Sequence, residues 1–118
     1  MKTIKDYKQH LEDIKLLMSK YGEHQPKVMG AFEGLMNATL EDGELSRKHK
    51  ELISLGIAIT VRCDGCIAFH VNSCIAAGAS NNEVAETIGV AMLMGGGPAV
   101  MYGVEAFEAL SQFREPIY

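Results

Sequence analysis

Apolar residues recur along this chain at spacings of three and four, and alternating β-branched runs are almost absent. That period predicts an all-α fold of about six helices. The first is expected from about Ile4 to Lys20, with Leu11, Ile14, Leu17 and Met18 on its buried stripe and Gly22 closing it. The second opens at Pro26, whose fixed φ suits a first helical turn, and carries Val28, Met29, Phe32, Leu35 and Met36. Glu41-Asp42-Gly43 reads as a turn. Ser46 stands where an N-cap would open a third helix, Arg47 to about Val61. From Leu52 onward this helix is apolar on nearly every side, the mark of burial in a core or an interface. A fourth helix is expected from about Asp64 to Ala77, ending at Gly78. Ser80-Asn81-Asn82-Glu83 has the form of a capping box and opens a fifth, through about Met94. After Gly95-Gly96-Gly97, Pro98 starts a sixth, ending near Phe113.

The last two helices are rich in Ala, Gly and Met, and Ile88 to Met101 contains no ionisable side chain. Close packing within or between subunits accounts for that composition. A chain of 118 residues fits one domain, residues 1–118, but has difficulty burying so much apolar surface alone, so a homo-oligomer is expected. The net charge of −4 speaks against a nucleic-acid partner, and Arg47-Lys48-His49-Lys50 reads as a solvated helix face. Met1 to His10 is polar and lacks the apolar stretch of a signal peptide. The apolar run from Ile88 is cut by Gly95-Gly96-Gly97-Pro98 before it reaches membrane-spanning length. The expectation is a cytoplasmic protein with no membrane partner.

Chemistry concentrates at Cys63-Asp64-Gly65-Cys66, followed by His70. At 100° per residue, Cys63, Cys66 and His70 fall within about 60° of one another on a helix. Two thiols at this spacing can close a disulfide across one turn of backbone. A thiol reacts as its thiolate, which a helix N-terminus and nearby cations favour. Arg62 precedes the pair, and Cys66 falls in the first turn of the fourth helix. His70, one turn further on, can accept the proton of Cys66. Cys74 lies one turn beyond His70 and reads as a small buried residue, while His10, His24 and His49 have polar neighbours and read as surface groups.

Glu51 joins this set only if the chain reverses. On a single straight rod it would lie about 18 Å from Cys63. A reversal near Arg62 to Asp64, for which Asp64-Gly65 is the break signal, would make an antiparallel hairpin and set Glu51 opposite the region of His70 to Cys74. A carboxylate there can orient His70. Otherwise Glu51 is a solvated acid near a helix N-terminus. Zinc is the competing chemistry, because Cys63, Cys66 and His70 are ligands of the right kind, with Cys74 or Glu51 as a fourth. One helix would struggle to surround an ion with them. No flavin motif or second ligand pair appears, so no cofactor is expected.

Lys50-Glu51-Leu52-Ile53 and Arg62-Cys63-Asp64-Gly65-Cys66-Ile67-Ala68-Phe69-His70 resemble the carboxymuconolactone decarboxylase-like family in its alkylhydroperoxidase AhpD-like branch. So do Thr39 to Ser46, Ala77-Gly78-Ala79, Glu83-Val84-Ala85-Glu86 and Met94-Gly95-Gly96-Gly97-Pro98-Ala99. The similarity spans roughly Pro26 to Met101. It implies a helical fold assembled as a homotrimer or homohexamer, and thiol-dependent peroxidase or disulfide reductase activity. It further implies Cys66 as the activated thiol, Cys63 as the residue that closes the disulfide, and Glu51 and His70 as proton relay. A small hydroperoxide or a partner-protein disulfide would be the substrate, and an external dithiol the reductant. One departure stands out: AhpD carries a histidine between its cysteines, where this chain has Asp64-Gly65, so that proton donor is missing. The rival readings are a lyase of the carboxymuconolactone decarboxylase type, a metal-binding protein and a non-catalytic assembly protein. The decarboxylases generally lack the Cys-x-x-Cys.

Overall fold

Local caps decide where the helices begin. The computed structural model describes residues 5–114 and 117–118, which contain α1 (Tyr7–His24), α2 (Pro26–Leu40), α3 (Arg47–Thr60), α4 (Asp64–Ala76), α5 (Asn81–Gly95) and α6 (Gly97–Phe113). The expected start at Ile4 lies outside the described residues. Asp6 caps α1 by accepting from the Gln9 N–H. Ser46 caps α3 by accepting from His49 N–H at 3.2 Å. At α5 the capping box is complete: Ser80 Oγ accepts from Glu83 N–H, and the Glu83 carboxylate accepts from Ser80 N–H. That backbone bond and the Lys48 ammonium hold the Glu83 carboxyl below its usual range.

Contrary to the sequence expectation, Gly22 does not close α1. The helix passes through it to His24. A single interior glycine costs only about 1 kcal/mol. The break falls at Gln25 instead, at φ −134° and ψ 66°, because a residue before proline is pushed out of the helical region.

Helices α3 to α6 build the core. Leu55 and Ile59 of α3, Ile67, Val71 and Cys74 of α4, Val84 and Ile88 of α5, and Ala106 and Leu110 of α6 are buried in one cluster. Tyr7 and Leu11 bring α1 onto it, across α4 and α6. The Tyr7 hydroxyl donates to Glu105 at 2.9 Å, and burial first, then that bond, keep it protonated far above the usual phenol range.

The stripes expected to be buried on the first two helices are only partly covered: Leu11 is buried and Ile14, Met18, Met29 and Met36 are half-buried. Leu17 of α1 and Val28, Phe32 and Leu35 of α2 face outward. Helix α2 packs mainly on α1 and touches α3 only lightly, so among the described residues no core element covers Val28, Phe32 and Leu35. Periodicity identifies such a stripe but does not name what lies against it. The apolar stretch in α5 is also open: Leu93 is 80% and Met94 78% exposed. Among the described residues no helix is long and apolar enough to cross a membrane.

The α5–α6 corner is tight. Gly96 takes φ +71°, a conformation glycine adopts without steric penalty. A Cβ on its neighbour Gly95 would lie 2.5 Å from Ala99 Cβ and 3.2 Å from Thr60 Cγ2. On the same helix, a Cβ at Gly89 would meet nothing within 4 Å. Gly95→Ala should therefore destabilise the protein by about 1–3 kcal/mol through overpacking. Gly89→Ala should stabilise it by about 0.5–1 kcal/mol through helix propensity. Urea midpoints of the two variants should move in opposite directions, and equal shifts would contradict this packing.

Candidate active site

The site depends on the reversal between α3 and α4, and the chain does turn there. Val61, at the C-cap of α3, is followed by Arg62 at φ +61°. The Arg62 N–H donates to the Ile59 carbonyl at 3.2 Å, and the Cys63 N–H donates to the Ala58 carbonyl at 3.1 Å. This pair of bonds is a Schellman ending. Helix α4 ends the same way, with Gly78 and Ala79 donating to Ile75 and Cys74. The break signal is therefore not Asp64-Gly65, both of which lie inside α4. It is Arg62, in the left-handed region that glycine usually fills.

Cys63 is the last residue of this turn and the N-cap of α4 at once. Its Sγ accepts from the Cys66 N–H at 3.2 Å, occupying the place usually taken by a Ser or Asp oxygen. Cys63 and Cys66 are joined as a disulfide, with Cα atoms 5.2 Å apart. Cys66 is half-buried.

The hairpin brings Glu51 to His70. Glu51 is fully buried, and its Oε1 lies 2.8 Å from His70 Nδ1. Its Oε2 accepts from both Nε and Nη2 of Arg47, at 3.2 and 3.1 Å. A carboxylate held by a guanidinium on one oxygen accepts on the other, so His70 Nδ1–H donates and Nε2 remains as the second ring nitrogen. The His70 side chain is 18% exposed. His70 and Cys66 line one cavity of about 230 Å³, together with Ser54, Ile57, Ala58 and Val61. Of the four candidate residues, Cys66 and His70 share this cavity, Cys63 is bonded to Cys66, and Glu51 stands behind His70.

Cys74 is buried and free. Burial, and then the Glu51 charge, push its thiol up to about 12, so it stays protonated and packs as a small apolar group. Among the described residues no three His, Cys, Asp or Glu side chains are grouped as ligands for one ion.

The basic cluster of α3 is not simply a solvated face. Arg47 anchors Glu51, Lys48 pairs with Glu83 at 2.9 Å, and Lys50 Nζ donates to the Glu41 carbonyl at 2.7 Å. The place of Arg47 was legible as an i, i+4 pair with Glu51. No sequence pattern singles out Ser54: its hydroxyl donates to the Lys50 carbonyl at 2.9 Å while it forms part of the cavity wall. His10 is half-buried rather than on the surface, with its Nε2 4.0 Å from where a Gly65 Cβ would stand. Lys5 pairs with Asp64, tying the segment between the cysteines to the start of the chain.

Fold and site together define an all-helical protein with a Cys-x-x-Cys pair at a helix start and a Glu–His pair beside it. The chain belongs to the carboxymuconolactone decarboxylase family, which it matches over residues 26–109. Its residues are consistent with the AhpD-like branch of that family. A carboxymuconolactone decarboxylase family protein of Legionella pneumophila, solved in its apo form, superposes with a TM-score of 0.88 at 38% identity, covering 91% of this chain and 96% of that one. A family member from Thermotoga maritima, given a possible part in antioxidative response, superposes at 0.80 with 28% identity, covering 89% and 90%. An uncharacterized protein of Cupriavidus necator is 37% identical over 109 residues, 90% of this chain and 96% of its own.

Proposed function

We propose that this chain is a thiol-dependent peroxidase or disulfide reductase that works through Cys63 and Cys66. The observation that carries the reading is the shared cavity: Cys66 and His70 line it, and Glu51 fixes the histidine from behind. In the reduced protein, His70 Nε2 takes the proton of Cys66. The thiolate attacks the terminal oxygen of a hydroperoxide, the O–O bond breaks, and the alkoxide leaves with a proton as an alcohol. Cys66 is then a sulfenic acid. The Cys63 sulfur displaces its oxygen as water and closes the disulfide, so that the dithiol has supplied both electrons. With a partner disulfide as substrate, the Cys66 thiolate attacks one sulfur, and Cys63 releases the partner as a dithiol. An external dithiol restores the pair, and a reducing cytoplasm supplies such reagents. The apolar wall of Ile57, Ala58 and Val61 favours a small organic hydroperoxide. The antioxidative role suggested for the Thermotoga maritima relative agrees with this reading.

The test is a thiol count. Two of the three cysteines of the reduced native protein should react with a thiol reagent, and none after one equivalent of hydroperoxide. The third, Cys74, should appear only in denaturant. Two native thiols that survive the hydroperoxide would overturn the proposal.

We infer also that the chain assembles with copies of itself, as a trimer or hexamer. The groove of about 490 Å³ between α3 and α5, walled by Leu52, Ile53, Ile57, Val90 and Met94, is an apolar surface that a monomer would leave wet. Sedimentation equilibrium should give a multiple of the 12.9 kDa chain mass, and a monomer at micromolar concentration would refute it.

A further inference from the structure

We propose that Arg47 is a positioning residue that sets the pH at which His70 becomes able to take a proton. The assignment rests on the relay proposed above. It starts from an asymmetry in how Glu51 is held. The carboxylate is fully buried, yet only one of its oxygens faces His70. The other is gripped through two donors by a guanidinium that is 49% exposed at the protein surface. With both donors on Oε2, Oε1 is left to accept from Nδ1. The guanidinium also supplies a counter-charge that is not the histidine.

The counter-charge determines the protonation of the pair. A buried carboxylate with His70 as its sole partner favours the imidazolium, because that form alone neutralises it. An imidazolium cannot take a proton from Cys66. With Arg47 on Oε2, Glu51 is already neutralised, and the ring can stay neutral beside it. Arg47 thereby favours the neutral ring, the form that can take a proton. Among the described residues no other charged group bonds to Glu51 or His70. On α4, Cys74 is buried as a thiol next to Glu51, and Cys66 lies across the cavity. Glu83 of α5 is paired with Lys48, Glu105 of α6 accepts from Tyr7, Lys5 is held by Asp64, and His10 of α1 stands over Gly65.

The test uses the full chain in its reduced state, with Arg47→Met and Arg47→Lys. Methionine keeps the helix propensity and most of the length of arginine, so α3 should form in both, as circular dichroism will check. The His70 ring is titrated by NMR, and Cys66 alkylation by iodoacetamide is followed against pH in a Cys63→Ser background. Arg47→Met should raise the His70 midpoint, and with it the acid limb of the alkylation profile, by about one pH unit. Arg47→Lys should restore most of that shift, since it restores the charge. In a Glu51→Gln background the Arg47→Met shift should shrink, because no buried carboxylate is left to hold the guanidinium beside the ring. An unmoved midpoint in Arg47→Met overturns the assignment, as does an equal shift in Met and Lys variants. None of these readouts requires peroxide turnover. A protein that fails to consume peroxide yet shows the shift would sink the proposed activity and leave this role standing.

Discussion

Cys66→Ser should reduce hydroperoxide consumption to the uncatalysed background while leaving the helical content unchanged. A serine hydroxyl fits the space, but its oxygen is not ionised by a histidine alone to the degree a thiol is, and it cannot accept the peroxide oxygen as a sulfenic acid. Cys63→Ser should fail differently. Cys66 remains, so one equivalent of peroxide should be consumed, after which the protein stops with a sulfenic acid that dimedone captures. The two variants therefore separate attack from closure. Peroxide turnover by Cys66→Ser at the native rate would end the mechanism, and equal behaviour of the two variants would end the division of labour between the sulfurs.

His70→Asn should slow the reaction of Cys66 with peroxide by about 10²–10⁴-fold near neutral pH, the range that a positioned general base contributes. The deficit should shrink as pH rises past the thiol's ordinary value of about 8.5, because hydroxide then generates the thiolate unaided. Stopped-flow rates across pH 6–10 should show the two curves converging (a range that brackets both groups' ordinary values, about 6.5 and 8.5). A constant deficit at every pH would mean that the substitution damages the cavity rather than removes a base.

Local chemistry made much of the fold legible. Ser46, Ser80 with Glu83, and Pro26 all act within a few residues of themselves, and each opens the helix that its sequence position indicates. The alignment of Cys63, Cys66 and His70 was readable from helical spacing. Their meeting with Glu51 was not, because it depends on Arg62 in a left-handed conformation. Nothing in the arginine side chain announces that geometry. The two carbonyls of α3 that accept from Arg62 and Cys63 hold it in place. Leu17, Val28, Phe32 and Leu35 show the complementary failure. Their spacing is that of a buried stripe, but burial depends on a neighbour that no local pattern encodes. Arg47 lay between the two cases. Its spacing to Glu51 was visible, whereas the complete burial of Glu51, which turns a surface pair into an anchor, appears only once α4 is packed against α3.

Ile57 forms part of two walls. It lines the apolar groove between α3 and α5, and it lines the cavity that holds Cys66 and His70. A copy of the chain seated in the groove would thus press on the same side chain that a substrate meets from the other direction. In the proposed assembly the width of that cavity would depend on a neighbour, and dilution into monomers would change it. Quaternary structure would act as a molecular sieve, so that discrimination between small and bulky hydroperoxides becomes a function of protein concentration.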